Sequence, residues 1–219
     1  MIQAVLLMGA PGVGKTTQAR LLSAYSGWPH VSTGDLLRAL PADSQEASRF
    51  RERAVVGGLA DDDLVVGVWE RWARGLASRG VADLTAILDG FPRTHAQLQP
   101  LYRLTRPAAI VYLTGLGDDE LVTRMSRRSR IESRVDDGER AALEERIEQF
   151  REFTAPLSFQ LTGAALIAVN AVGSEREVCG RVANGLRNVG LLPDRGGSLV
   201  GGCLGDFEDV AMPRLLTTG

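Results

Sequence analysis

The eight residues Gly9-Ala10-Pro11-Gly12-Val13-Gly14-Lys15-Thr16 follow the spacing G-x-x-x-x-G-K-[ST], a pattern suited to gripping phosphate oxygens. Glycines here let the backbone curl until successive N–H groups point inward at an anion, and a helix starting directly afterwards adds its positive end. Lys15 contributes a point charge, while the Thr16 hydroxyl, with Thr17 as a neighbouring candidate, can reach a magnesium ion carried by the phosphates. Lys15 is also the only lysine: the other 24 of the 25 basic residues are arginines. A compositional bias toward arginine accounts for those positions but not for the exception. At Lys15 a slim ammonium fits inside a tight backbone loop that a broad planar guanidinium would not enter.

Other groups could work beside this loop. Asp89 closes the apolar run Ala86-Ile87-Leu88. A carboxylate at the end of a parallel strand can hold the water shell of a magnesium ion, although the same residue type also makes a plain strand-end turn. Arg38 and Arg93 can grip a planar set of phosphate oxygens in bidentate fashion, or form surface salt bridges. Arg124, Arg127, Arg128, Arg130 and Arg134 make a dense basic run, with 124 and 128 on one helix face. By type alone such a run reads as a solvated face, and Glu120 is available to pair with Arg124. The Gln97 amide can donate and accept at once, as an adenine edge requires, yet by position alone an exposed helix residue is the commoner case. Asp136 and Asp137 suit either the orientation of nearby arginines or helix capping.

The elements that must position these groups follow from short apolar runs alternating with longer amphipathic stretches, the pattern of βαβ units building a parallel sheet. Strands are expected at 4–8, 30–32, 86–88, 109–113 and 166–169. Helices are expected to start after Gly14 and at Gly34, Asp43, Asp61, Thr94, Asp118, Asp137 and Glu175, several introduced by Asp, Ser or Thr as caps. From about Val189 the chain changes character, with seven glycines, one aromatic residue and no sustained period, which reads as a flexible tail unless Leu191-Leu192 or Leu199-Val200 docks on the core. A net charge of -2 supplies no electrostatic reason for nucleic-acid or anionic-membrane binding, and the arginine run lacks interleaved aromatics for base stacking. The two cysteines, Cys179 and Cys203, match no metal-ligand spacing and suggest a reducing compartment, with cytosol the expected location. The apolar start lacks the basic n-region and length of a signal peptide, and no run of about 18 apolar residues suggests a membrane span.

Four segments together resemble the adenylate kinase family. Gly9 to Gln18 reads GAPGVGKTTQ, Val31 to Arg38 reads VSTGDLLR, Asp89 to Arg93 reads DGFPR, and Arg128 to Asp137 reads RSRIESRVDD, followed by Arg146 and Thr154-Ala155-Pro156-Leu157. The resemblance spans about residues 1–187. It implies an α/β P-loop NTPase fold with a five-stranded parallel sheet flanked by helices. A nucleoside monophosphate kinase domain would occupy 1–188, with a small helical insert for the monophosphate at about 30–61, a short lid at about 129–135 and a tail at 189–219. The implied activity is reversible transfer of a phosphoryl group from Mg-ATP to AMP, with Mg²⁺ as cofactor and no zinc, in a cytoplasmic monomer without nucleic-acid or membrane partners. By the same resemblance, Gly9 to Thr17, Arg124 and Gly173 bind ATP, with Arg124 stacking on its adenine. Thr33, Arg38, Leu59, Gly90, Arg93 and Gln97 bind AMP, with Arg38 and Arg93 on its phosphate. Lys15, Arg93, Arg128, Arg134 and Arg146 carry the transfer, and Asp89 with Thr16 serves magnesium.

Thr33 and Gln97 point to adenine, since the related UMP/CMP kinases typically carry alanine and asparagine there. Some positions depart from the family: Thr16 stands where a glycine is usual, Ala60 replaces the valine expected after Leu59, Glu132-Ser133 replaces Ser-Gly before the lid arginine, and Asn170 replaces an aspartate. Kinases for CMP or UMP, a nucleotide-binding regulator without transfer activity, and a partner-driven ATPase remain open alternatives. Arg38 and Arg93 would lack a role in the ATPase.

Overall fold

Along the first strand the buried side chains alternate, with Ala4, Leu6 and Met8 in one apolar layer and Val5 and Leu7 in the other. A strand apolar on both sides needs cover on both sides, which a parallel sheet between helix layers supplies. The computed structural model describes residues 1–78, 84–132 and 140–193 and has this arrangement. Its sheet contains β1 (Ile2–Gly9), β2 (His30–Ser32), β3 (Thr85–Asp89), β4 (Thr105–Thr114) and β5 (Ala165–Asn170), all parallel in the order β2-β3-β1-β4-β5. The helices are α1 (Lys15–Ser26), α2 (Thr33–Arg38), α3 (Gln45–Val55), α4 (Asp62–Ala77), α5 (Leu98–Leu104), α6 (Asp118–Glu132), α7 (Arg140–Gln149), α8 (Leu157–Gln160) and α9 (Glu175–Asn188).

One layer packs Leu22 of α1, Met125 of α6, Leu143 of α7 and Val182 and Leu186 of α9 against Val5, Leu7 and Val111. The other packs Trp69 of α4, Leu101 of α5 and Leu157 of α8 against Leu6, Leu88 and Ile110. Each fully buried side chain of this size contributes roughly 1.5–3 kcal/mol over an exposed one. Leu192 is buried in the first layer, below the end of α9. The order of strands makes β1 the switch point, with β3 on one side and β4 on the other, so a crevice opens at the carboxyl end of β1.

The strands fall where the hydrophobic runs put them, and several helix starts differ. α3 begins two residues after Asp43 because Ser44 caps it, its Oγ accepting from Ala47 N at 3.1 Å. Asp61 holds the cap position of α4 but makes no cap bond. Its carboxylate is taken instead by Arg49 at 2.6 Å and Arg53 at 3.2 Å, which tie α3 to the base of α4. After Thr94 a 3₁₀ turn, His95–Gln97, precedes α5, because Pro100 has no N–H with which to extend the α-helix back toward residue 96. Ser174 and Glu177 form a capping box at the start of α9. Residues 129–132, expected as the start of a loop, are the last turn of α6. That helix has Asp118, Asp119 and Glu120 in its first turn, with Arg127 and Arg128 farther along, so its charges run with its dipole. The helix start expected at Asp137 lies outside the described residues. A π-helical segment, Phe150–Thr154, and α8 have no counterpart among the expected elements.

Candidate active site

A cleft of about 620 Å³ lies at the carboxyl end of the sheet, between the loop after β1, α2, the segment after β3, and the facing sides of α6 and α7. The loop between β1 and α1 curls around its own backbone. Gly12 adopts φ 81°, and a Cβ there would sit 2.7 Å from the carbonyl oxygen of Leu121, so a side chain would push the loop off α6. Lys15 Nζ folds back to donate to Gly9 O at 2.8 Å and Ala10 O at 3.0 Å. Ala10 turns its methyl toward the core and serves the site through this carbonyl.

The parallel register sets Leu7 of β1 beside Asp89 of β3 and carries Asp89 to the base of the loop. Thr16 Oγ1 there donates to Asp89 Oδ2 at 2.7 Å, joining residues 73 positions apart. The hydroxyl that departs from the family pattern thus fastens the loop to the strand-end carboxylate. On the other side, His30 Nε2 stands 3.8 Å from the same oxygen, beyond hydrogen-bond reach. Burial pushes the Asp89 carboxyl up, but the His30 imidazole, the Lys15 ammonium and the Thr16 hydroxyl outweigh it and hold its pKa at about 2. Thr16 and Asp89 offer a hydroxyl and an ionised carboxylate, hard oxygen donors that fit a magnesium ion bringing its own waters and phosphate ligands.

Lys15 is perturbed in the opposite sense. Burial above all, with the charges of Arg93, Arg128 and Arg146, lowers its pKa to about 7 against the opposing charge of Asp89. These three arginines come from separate elements, and all line the cleft that Lys15 lines. Thr17 and Gly173 line it too, while Arg134 lies outside the described residues. Arg124 also lines it, with its guanidinium held by Glu120 Oε1 at 2.7 Å. The pairing and the cleft-facing position therefore coexist.

In the segment after β3, Arg93 Nε donates to Gly90 O at 3.1 Å, and the Arg93 carbonyl accepts from Thr154 Oγ1 at 2.9 Å. Arg38 is paired with Asp35 at 2.5 Å and 32 % exposed. Both arginines line the cleft. Thr33 Oγ1 is buried, accepting from Trp69 Nε1 at 3.1 Å and donating to Asp89 O at 3.3 Å. Leu59, Ala60, Val65 and Phe91 add apolar side chains to the cleft lining. Gln97 is 1 % exposed rather than an open helix residue, and its side chain is held by Arg93 N and by Asp62. Sequence reasoning missed Asp62, one of three successive aspartates at the start of α4. It also missed Gln18, buried under the loop and donating to Glu175 O at 3.0 Å. A buried amide inside an otherwise exposed-looking Thr-Thr-Gln run gives no linear signal.

A phosphate loop on the first strand of a parallel sheet, opening into one cleft lined by several arginines from other elements, defines the class: a P-loop phosphotransferase. A family model described as Adenylate kinase matches residues 7–160. The chain is similar to an adenylate kinase of Parasynechococcus marenigrum (strain WH8102), 40 % identical over 187 residues that cover 81 % of this chain and 95 % of the relative. It is also similar to adenylate kinases of Thermus thermophilus, 38 % identical with 82 % and 95 % covered, and of Xanthomonas euvesicatoria, 35 % identical with 83 % and 98 % covered. The chain belongs to the adenylate kinase family.

Proposed function

We propose that the chain moves the γ-phosphoryl group of Mg-ATP onto AMP, reversibly, giving two molecules of ADP. The observation that supports this reading is that a single cleft is lined by Lys15, Arg128 and Arg146 and also by Arg38 and Arg93, more cationic groups than one bound ATP would use. A protein that only bound or hydrolysed ATP would have no use for Arg38 and Arg93. In this reading Lys15 leaves the carbonyls of Gly9 and Ala10 for the ATP phosphates, which Gly9 to Thr17 cradle. Arg38 and Arg93 take the AMP phosphate, Gln97 and Thr33 address its base beside Leu59 and Gly90, and Arg124 and Gly173 flank the ATP base.

Phosphoryl transfer asks little covalent help of the protein, so the work of these residues is alignment and charge neutralisation. Arg128, Arg134 and Arg146 would meet charge developing on the transferring group, where one well-placed arginine can be worth about 10³ to 10⁵ in rate. Thr16 and, through water, Asp89 would hold the magnesium ion that accompanies ATP, whose charge offsets that of the phosphates. Closure of the insert at 30–61 and the lid at 129–135 would exclude water and suppress hydrolysis. We take 1–188 as the catalytic domain, with 189–219 as a tail whose Leu192 docks on the core, working as a monomer in the cytosol with magnesium rather than zinc and without nucleic-acid or membrane partners. Cys179, a buried free thiol, suits a reducing compartment. Among the described residues no helix is long and apolar enough to cross a membrane.

The test is ADP formation from Mg-ATP with AMP, CMP, UMP, GMP and dTMP in turn, beside a Lys15→Ala control. Transfer that favours AMP and disappears in the control is the expected result. Preference for another monophosphate would overturn the base assignment, and ATP binding with no transfer to any acceptor would overturn the enzymatic reading.

A further inference from the structure

The buried amide of Gln97 is held at both ends. Its Oε1 accepts from Arg93 N at 2.7 Å, and its Nε2 donates to Asp62 Oδ1 at 2.7 Å. The same carboxylate oxygen accepts from Thr94 Oγ1 at 2.7 Å. A backbone N–H can only donate and an ionised carboxylate can only accept. Turning the amide over would set its NH₂ against the Arg93 N–H and its oxygen against the carboxylate, replacing two hydrogen bonds with two repulsive contacts. The amide therefore has one orientation, and each of its polar atoms keeps one unused function, a second N–H on Nε2 and a second lone pair on Oε1.

We propose that Asp62 is a positioning residue for base selection: through its bond to Gln97 Nε2 it fixes which end of the amide donates and which accepts toward the acceptor nucleotide. The proposal rests on the reading that Gln97 pairs with the acceptor base. A 6-aminopurine presents a donor amine beside an accepting ring nitrogen, which matches the two unused functions of the oriented amide. A 6-oxopurine presents an accepting oxygen beside a donating ring N–H, which would match only the reversed amide. Asp62 thus selects AMP over IMP without touching either. Its position at the first turn of α4, next to the Asp61 that Arg49 and Arg53 hold, ties that choice to the frame of the insert.

The test compares KM and kcat for AMP and for IMP in the unaltered enzyme and in Asp62→Ala, Asp62→Asn, Thr94→Val and Gln97→Ala, with thermal melting to establish that each is folded. Asp62→Ala is expected to lower the AMP-over-IMP ratio of kcat/KM about tenfold, through KM for AMP, with kcat at saturating AMP changed by less than about twofold. Asp62→Asn, whose Oδ1 can accept the same two hydrogen bonds, is expected to keep the ratio within about threefold of the original. Thr94→Val removes only the neighbour on that oxygen and should leave the ratio unchanged. If Asp62→Ala does not fold, Asp62→Ser, too short to reach Gln97, takes its place. Equal losses for AMP and IMP, or an Asn variant no better than the Ala variant, would overturn the proposal. A Gln97→Ala enzyme with an unaltered ratio would show that Gln97 does not read the base and would remove the foundation. A ratio that collapses in Gln97→Ala but survives in Asp62→Ala would overturn the role of Asp62 alone.

Discussion

Binding of ATP should draw a proton from solution, and Lys15 is where it goes. In the empty cleft burial and the charges of Arg93, Arg128 and Arg146 lower its pKa from the ordinary 10.5 to about 7. Polyphosphate reverses the balance, since it screens the three guanidinium groups and offers oxygens to the ammonium, so the bound form is protonated well above pH 8. With an empty-site pKa of about 7, only about a tenth of the amines carry a charge at pH 8, so saturation takes up about 0.9 proton; at pH 6 the figure is about 0.1. The same linkage weakens ATP binding about eightfold between pH 7.5 and 8.5, a loss of about 1.2 kcal/mol. Calorimetric titration with a non-transferable ATP analogue and magnesium, run in two buffers of different ionisation enthalpy, reads the proton count directly. Lys15→Met should abolish the uptake, and Arg146→Gln should reduce it by letting the empty-site amine hold its proton. Uptake below about 0.2 proton at pH 8, or uptake that persists in Lys15→Met, would refute the reasoning, because the amine would then be charged before ATP arrives.

Further outcomes follow from individual contacts. Gly57 has φ 76°, and a Cβ there would lie 2.4 Å from Ala142 O, so Gly57→Ala should hold the end of α3 away from α7 and raise KM for AMP about tenfold; an unchanged KM would show that this contact is not needed for binding. Asp89 titrates at about 2 when folded against 3.8 ordinarily, so its contribution to stability is present above about pH 4 and lost as pH falls through 2. Thr16→Val removes one of the groups that depress it and should move the acid-unfolding midpoint upward, which circular dichroism across pH 2 to 5 would reveal. Met125, fully buried beneath the loop at Gly12, should cost about 2 to 5 kcal/mol on replacement by alanine, read from urea unfolding.

What could be read along the chain is what is local. The phosphate loop is contiguous, so its residues, its strand and its helix are visible together in one stretch. Asp89 is visible for a related reason: an apolar run ending in a carboxylate has few other places to stand than the edge of a parallel sheet. The convergence of Arg93, Arg128 and Arg146 is not local, and only family resemblance brought those positions together before the fold did. Asp61 looked like a helix cap because its residue type and place allow it, yet two arginines on α3 compete for the same oxygens and win. Gln97 is legible as a candidate, but its burial and its bond to Asp62 escape linear reading altogether. Their bond exists because a 3₁₀ turn forced by Pro100 brings one to the start of α4 that carries the other, and neither event has a sequence period.

The aromatic packing around the acceptor side gives the chain an optical reporter. Trp69 is 1 % exposed, stacked on Phe91 with ring centres 5.1 Å apart and set edge-on to Trp72 at 5.3 Å. The only polar atom of its indole donates to Thr33 Oγ1, inside the cleft. An indole in so apolar a setting emits toward the blue, and the one bond that can tune its excited state ends on a residue of the acceptor side. Intrinsic fluorescence is therefore expected to change when a nucleotide meets Thr33, in emission shared by Trp69 and the neighbouring Trp72, while Trp28 packs in the opposite layer.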